Sequence, residues 1–284
     1  MAAKRSRRGE AQASAVRPDP TKGNPEFKSW DSFQSFARAV RFSRRYVFDS
    51  GVQQFLDTVL ATSARRETTI RKESTLFRAQ RGVSQPDDEN GDPQPPTGLP
   101  AARMKPDLDH AAEGRVNPTG ILVLYLASSK QTAISEIRPW VGSEISVGYF
   151  KIARDLRAID LSVGHGKRSF GGLSLSQLMG EVEVDREQKE KAVWTDIDNA
   201  FSSPVTRESN LTDYVPTQIL AELFRDAGYE AIIYRSQFGV GDTKGYNVAL
   251  YDPEDARIVA CEPHRVTRIA VTFEECGNGW ARKE

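Results

Sequence analysis

Polar side chains that are candidates for a binding or catalytic site occur in four segments where a strand-rich core would otherwise be apolar. The candidates are Arg78, Arg115, Tyr125, Glu136, Ser236 and Asn247. Arginine binds phosphate oxygens through a planar fork of donors. A fixed carboxylate stabilises positive charge that develops in a transition state. Residues of these types could bind an anionic group and stabilise a developing positive charge.

Several common catalytic signatures fail on their spacing. The segment 164–168 resembles the end of a phosphate-binding loop, but Leu161 occupies the position of its first glycine and Arg168 replaces the magnesium-binding hydroxyl residue. Gly239 and Gly241 precede loop rather than helix, so they form no dinucleotide-binding fingerprint. The chain has no G-x-S-x-G elbow. No zinc-site spacing relates the three histidines, His110, His165 and His264. We therefore predict no metal site.

The candidate residues fall at the ends or in the middle of predicted elements. A short strand at 75–79 carries Arg78, and an apolar run at 120–127 carries Tyr125. A helix that begins near Lys130 and stops before Pro139 carries Glu136. Two later strands, at 231–234 and 247–251, place Ser236 just after the first and Asn247 at the start of the second.

The hydrophobic periodicity of the rest of the chain predicts an N-terminal helical segment (the helical preface) followed by an α+β domain. Apolar residues recur at helical spacing between residues 30 and 71 and again at 214–227. Further strands are predicted at 145–152, 157–161 and 269–273. Residues 85–105 read as an exposed loop, and the charged stretch 175–194 as a surface helix. The strands and helices do not alternate regularly, which disfavours a doubly wound fold.

Five motifs, in order, make the sequence resemble the RES-domain family. They are LFRAQRG, GRVNPTG, LYLASSKQTAISEIR, YVPTQILAELFRDAGYEAIIYRS and NVALYDP. The resemblance covers residues 75–252 and is interrupted by long loops at 82–113 and 162–212. It implies an ADP-ribosyltransferase-like split β-sheet core with NAD⁺ in a cleft between its halves. Members are typically toxins of toxin–antitoxin pairs that degrade NAD⁺ by hydrolysis or phosphorolysis, and their usual partner is an Xre-type antitoxin.

The resemblance also implies a role for each candidate. Glu136 would stabilise the ribose cation as nicotinamide departs, and Arg78 and Arg115 would bind the pyrophosphate. Tyr125 would offer an aromatic face to the nicotinamide or ribose. Ser236 would hold a phosphate, the amide or Glu136, and Asn247 would help to bind NAD⁺. No cofactor beyond the substrate NAD⁺ is implied, with phosphate as a second candidate ligand.

Other interpretations of the same residues stay open. The arginines also suit surface ion pairs, Tyr125 suits core packing, Glu136 suits an exposed helix position, and Ser236 suits a strand-end cap. The acceptor of ADP-ribose could be a protein, which would make the chain a protein ADP-ribosyltransferase. A non-catalytic RES-like module that binds or regulates a partner is the alternative from a different functional class.

Bulk composition supplies the domain prediction. Residues 1–28 are basic and nearly devoid of large apolar side chains, so we predict a disordered tail. A helical extension at 29–74 and a RES-like domain at 75–284 follow.

The overall charge gives no electrostatic reason to expect nucleic acid as a partner, except indirectly through an antitoxin, because lysine plus arginine equals aspartate plus glutamate at 39 each. No apolar run is long enough for a membrane span, and Cys261 and Cys276 suggest no disulfide framework. We expect a cytoplasmic protein.

Overall fold

The computed structural model describes residues 25–107, 111–203, 211–238 and 245–271, together with Glu275 and Gly277. Within them lie eight strands: β1 (Glu67–Ile70), β2 (Thr75–Arg81), β3 (Leu124–Ala127), β4 (Glu144–Ile152), β5 (Leu156–Leu161), β6 (Ala231–Arg235), β7 (Tyr246–Leu250) and β8 (Ala256–Arg265). They form one mixed sheet in the order β1-β5-β6-β7-β3-β2-β4-β8. Strands β5 and β6 are parallel and the other neighbours are antiparallel.

The sheet divides into two lobes between β3 and β2. These strands pair at one position, Phe77 with Ala127, whereas β2 and β4 pair along the whole of β2. On the C-terminal side of Phe77 the two strands diverge. The part of β2 that begins at Arg78 therefore separates from Tyr125 of β3 and from the residues that precede it. One lobe therefore contains β1, β5, β6, β7 and β3, and the other contains β2, β4 and β8.

Seven α-helices surround the sheet within the described residues. They are α1 (Ser32–Phe42), α2 (Ser50–Ser63), α3 (Ala101–Met104), α4 (Lys130–Glu136), α5 (Leu175–Leu178), α6 (Arg186–Ser202) and α7 (Val215–Asp226). Helices α1, α2, α6 and α7 share one apolar cluster with side chains of β5, β6 and β7. Helix α4 packs through Ala133 on Ala79 and Ala127. A third cluster, which includes Leu76, Met104 and Leu126, covers the opposite face.

A row of paired residues defines the face on which α4 and α6 lie. Phe77 pairs with Ala127, Ala127 with Asn247, and Asn247 with Tyr234. Paired residues of neighbouring strands point to the same face, and successive residues of one strand point to opposite faces. The side chain of Arg78 therefore projects from the face opposite to that of Asn247.

The predicted α+β class is confirmed, as are the helical preface and most of the strands. The structure also places β1 at the end of the predicted helical stretch, where it pairs with β5. The domain boundary predicted at residue 75 stays a prediction. No helix in the described ranges has the length and apolar character needed to cross a membrane.

Three local expectations were wrong, and a fourth held in part. The stretch 175–194, predicted as a surface helix, is exposed or partly exposed over most of its length, but it contains α5 and the first part of α6, and Val193 and Trp194 at its end are buried. The loop at 85–105 contains α3, whose Met104 is fully buried. Strand β3 starts only at Leu124. No strand forms at 269–271, with 272–273 outside the described residues, and the last strand is instead β8.

Candidate functional site

Glu136 is the last residue of α4, and two neutral donors hold one oxygen of its carboxylate. Ser236 Oγ and Asn247 Nδ2 each donate to Glu136 Oε1 over 2.6 Å. Both donors are buried, whereas the Glu136 side chain is partly exposed. In the described part of the chain, no donor is assigned to Glu136 Oε2. A carboxylate at the C-terminus of a helix gains nothing from the helix dipole, so these two bonds supply its local stabilisation.

The sheet brings the two donors to α4. Asn247 pairs with Tyr234 across β7 and β6, and Ser236 follows the end of β6. The Ser236 N–H donates to the carbonyl of Gly245, which extends the ladder by one bond. At its other end α4 is capped by Ser129, whose hydroxyl accepts from the Thr132 N–H over 3.0 Å. The helix therefore delivers its C-terminal carboxylate to the end of the β6–β7 pair.

A cavity of about 340 Å³ opens beside Glu136, between the C-terminal ends of α4 and α6. We call it the Glu136 cavity. Its lining residues are Arg115, Glu136, Arg138, Ser202, Tyr214, Tyr234, Arg235, Gln237, Phe238 and Asn247. Three arginines against one carboxylate give this lining a formal charge of +2. The cavity therefore suits an anionic ligand of small-molecule size.

Arg115 is fixed by main-chain carbonyls near the end of α6. Its Nη1 donates to Ala200 O over 2.9 Å and its Nη2 donates to Ser203 O. The guanidinium carbon also lies 5.8 Å from the centre of the Tyr214 ring. These contacts hold the charge at the cavity without neutralising it, because carbonyls accept hydrogen bonds but carry no net charge.

The turn that carries Arg115 is organised by Tyr125 and Asn117. The Tyr125 hydroxyl donates to Asn117 Oδ1 over 2.7 Å and accepts from the Val116 N–H over 3.1 Å. Asn117 is buried and its Nδ2 donates to three carbonyls of the same turn, those of Ala112, Pro118 and Ile121. Burial raises the pKa of the Tyr125 hydroxyl above its ordinary value. In this structure Tyr125 therefore supports the Arg115 turn.

Arg78 lies in a second cavity, of about 610 Å³, which opens where β2 and β3 diverge. We call it the seam cavity, and Tyr125 also lines it. The Arg78 Nη1 donates to Met104 O over 2.8 Å, and burial lowers the pKa of Arg78 to about 10. Thus four of the six candidates, Arg115, Glu136, Ser236 and Asn247, meet at Glu136, whereas Arg78 and Tyr125 line the seam cavity.

Sequence reasoning missed several residues of the Glu136 cavity. Arg138, Arg235, Gln237 and Phe238 lie within two residues of predicted site residues, and this proximity in sequence was the available signal. Tyr214 is the first residue of the fourth motif, which also contains Ser236, whereas Ser202 at the end of α6 lies outside the five motifs. In the stretches that the structure describes, no cluster of histidine, cysteine and acidic side chains could hold a metal ion.

A family model described as the RES domain matches residues 76–270, which include all six candidate residues. The chain belongs to the RES-domain family. Apart from Thr75, the match takes in every strand from β2 to β8, and it includes the lining of both described cavities. Among curated proteins the search finds no match to the chain.

Proposed function

We propose that this RES domain cleaves the nicotinamide–ribose bond of NAD⁺ at the Glu136 cavity. RES domains are generally associated with NAD-utilising enzymes. The observation that carries the proposal is the Glu136 carboxylate, whose Oε1 is held by Ser236 and Asn247 beside a cavity lined by Arg115. Cleavage of this bond requires a fixed negative charge beside the ribose and, next to it, a group that binds the pyrophosphate.

Nicotinamide leaves NAD⁺ as a neutral molecule, so its departure needs little acid catalysis. The barrier lies in the positive charge that develops at the ribose carbon, as in glycoside cleavage. In the proposed complex the Glu136 Oε2 atom accepts hydrogen bonds from the ribose hydroxyls and stabilises that charge. Ser236 and Asn247 keep the carboxylate in place, which lowers the cost of reorganising it during the reaction.

The positive lining of the cavity supports binding of the pyrophosphate, which carries two negative charges. Arg115 presents its guanidinium on the cavity wall while carbonyls of α6 fix its orientation. A cavity of about 340 Å³ is at the small end of the range for ligand pockets, so we assign it to the nicotinamide ribose and the adjoining phosphates. The predicted role of Arg78 in binding pyrophosphate stays a prediction, since Arg78 lies in the seam cavity.

The acceptor completes the reaction. With water, NAD⁺ yields nicotinamide, ADP-ribose and one proton. With inorganic phosphate, a phosphate oxygen bonds to the ribose carbon as the nicotinamide–ribose bond breaks, and the products are nicotinamide and phosphorylated ADP-ribose. Either acceptor suits an intracellular toxin that depletes NAD⁺ in the cytoplasm and is neutralised by an Xre-type antitoxin. These biological roles are part of the proposal.

Transfer of ADP-ribose to a protein is a second candidate, and one observation favours it. The segment between β5 and α6 exposes apolar side chains, including Leu175 at 76% and Met179 at 70%. Such a surface suits contact with another protein, which would be either an acceptor or an antitoxin. A non-catalytic binding module is disfavoured by the neutral partners of Glu136, because a structural carboxylate in that setting would be expected to form an ion pair.

The test is incubation of the purified chain with NAD⁺, with and without phosphate, and analysis of the products by mass spectrometry. We expect free nicotinamide together with ADP-ribose or its phosphorylated form. Glu136→Gln should lower the rate by on the order of a hundredfold or more while leaving the fold intact. Glu222→Gln, an exposed change of the same chemistry on α7, is the matched control. Absence of nicotinamide release, or full activity in E136Q, would refute the proposal.

A further inference from the structure

The turn after Glu136 has a backbone conformation that its residue type disfavours. Helix α4 ends at Glu136, Ile137 caps it with φ −82°, and Arg138 follows with φ 45°. This left-handed position after a helix is usually occupied by glycine, because a Cβ atom is strained there. Arg138 and Glu73 are the two non-glycine residues with positive φ in the described part of the chain. Glu73 lies in the β1–β2 turn, where it pairs with Arg257.

Arg81 holds this turn from the end of β2. Its Nη2 donates to Ile137 O over 2.9 Å and to Arg138 O over 3.2 Å. Strand β2 is paired along its length with β4, and Arg81 itself pairs with Ile145. The strained turn is therefore anchored to the sheet by one guanidinium nitrogen that donates to two consecutive carbonyls.

The guanidinium group of Arg138 reaches the Glu136 cavity and lies against Phe238. Its carbon atom is 5.2 Å from the centre of the Phe238 ring, a distance at which a cation is attracted to the ring face. The Phe238 N–H donates to Ser236 Oγ over 3.1 Å, and Ser236 donates in turn to Glu136. Arg138 and Glu136 are thus positioned by one connected set of contacts.

Together these observations point to a binding role that the fold alone does not require. A glycine at position 138 would satisfy the backbone without strain, so the arginine is explained by its side chain. Arg115 and Arg138 approach the same cavity from different segments, one before β3 and one after α4. Two guanidinium groups beside a carboxylate suit a phosphoryl group next to the reacting ribose.

We propose that Arg138 binds a phosphoryl group of the ligand in the Glu136 cavity and that Arg81 is a positioning residue for it. This inference rests on the proposed function for the identity of the site. The phosphoryl group belongs either to the dinucleotide or to an inorganic phosphate acceptor. The left-handed turn directs the Arg138 side chain toward the cavity, and the two bonds from Arg81 maintain that turn.

The decisive variant is Arg138→Gly, which removes the guanidinium group and relieves the backbone. We expect its thermal stability to be unchanged or higher, while its affinity falls by at least about tenfold. Calorimetric titrations with ADP-ribose and with inorganic phosphate identify which source supplies the phosphoryl group, since ADP-ribose binding needs no cleavage. Arg38→Ala, an exposed site on α1, controls for the loss of one positive charge.

Arg81 is tested by a double-mutant cycle. Arg81→Gln should weaken the same binding in the wild-type background, Arg81→Lys should restore part of it, and Arg81→Gln should have no effect in the R138G background. Equal affinity of R138G and wild type for both ligands, or no binding of either ligand by the wild type, overturns the inference. If the wild type binds a ligand that R138G does not bind, but releases no nicotinamide from NAD⁺, the inference stands and only the proposed cleavage reaction is refuted.

Discussion

The hydroxyl oxygen of Ser236 lies 2.6 Å from Oε1 of Glu136, although one hundred residues separate them in the chain. This contact joins the end of β6 to the end of α4. It is short and involves an ionised acceptor, and hydrogen bonds of that kind are stronger than those between neutral groups. It therefore fixes the carboxylate more firmly than a bond to solvent would.

Ser236→Ala should reduce the rate of NAD⁺ cleavage by about tenfold, because Asn247 still holds Glu136 Oε1 after the hydroxyl is lost. The KM for NAD⁺ should change little, since Ser236 acts on the carboxylate. Nicotinamide release under saturating NAD⁺ is the measurement. Ser35→Ala, at an exposed position on α1, should behave as wild type. A change in KM alone would show that Ser236 binds substrate directly.

Arg115→Lys should raise the KM for NAD⁺ by at least about tenfold, although it conserves the charge. An ammonium group cannot reach both Ala200 O and Ser203 O with the planar fork that now fixes Arg115. Steady-state kinetics that separate KM from kcat will show the effect. A variant with the KM of the wild type would mean that Arg115 only ties its turn to α6.

Tyr125→Phe should lower the free energy of unfolding by about 1–3 kcal/mol, because it leaves the buried Asn117 Oδ1 and the Val116 N–H without the partner they share. Urea denaturation measures this loss. Affinity for ADP-ribose should fall as well, since the affected turn carries Arg115. A large loss of affinity at unchanged stability would favour direct contact between the Tyr125 ring and the ligand.

Glu262 on β8 should make stability depend on pH. Hydrogen bonds from Tyr149 and Lys130 lower the pKa of Glu262 below its ordinary value of 4.5. The ionised form is therefore favoured in the folded state, and its contribution is present above pH 4.5 and lost as the pH falls through the lowered pKa. Glu262→Gln should be less stable than wild type at pH 7, and the difference should disappear in acid.

Thermal denaturation of the two proteins across this range, at low and high salt, is the measurement for Glu262. The carboxylate is partly exposed, so salt should reduce the difference. Glu222→Gln provides the exposed control. A difference that persists at the acidic end would mean that Glu262 stabilises the protein through packing rather than through its charge.

The sequence alone predicted that polar residues gather around Glu136, because each motif places its polar residue at the end of a helix or strand. Helix α4 and strands β6 and β7 lie within a few residues of their predicted positions, and their ends meet in the structure. The separation of Arg78 from Glu136 could not be predicted from the sequence. It depends on the face from which Arg78 projects and on the divergence of β2 from β3, and both are set by register between distant strands.

The buried end of α6 and the position of β8 were not predicted, because their local composition conflicts with their tertiary setting. Helix α6 carries many charges, yet its Asp198 is fully buried, and Arg66 and the Gly164 N–H stabilise the buried carboxylate. Strand β8 contains Pro263 and several charged residues, which disfavour an internal strand but are tolerated at the edge of a sheet. Partners far along the chain determine both outcomes.

The single pairing between β2 and β3 has a consequence for how the two lobes can move. The backbone passes from one lobe to the other at each of the connections β1 to β2, β2 to β3, β3 to β4, β4 to β5 and β7 to β8. Few hydrogen bonds oppose a widening of the junction, but repeated passage of the chain prevents the halves from coming apart. Side-chain packing across the junction, such as that of Ala133 on Ala79 and Ala127, therefore joins the two lobes more than backbone hydrogen bonds do.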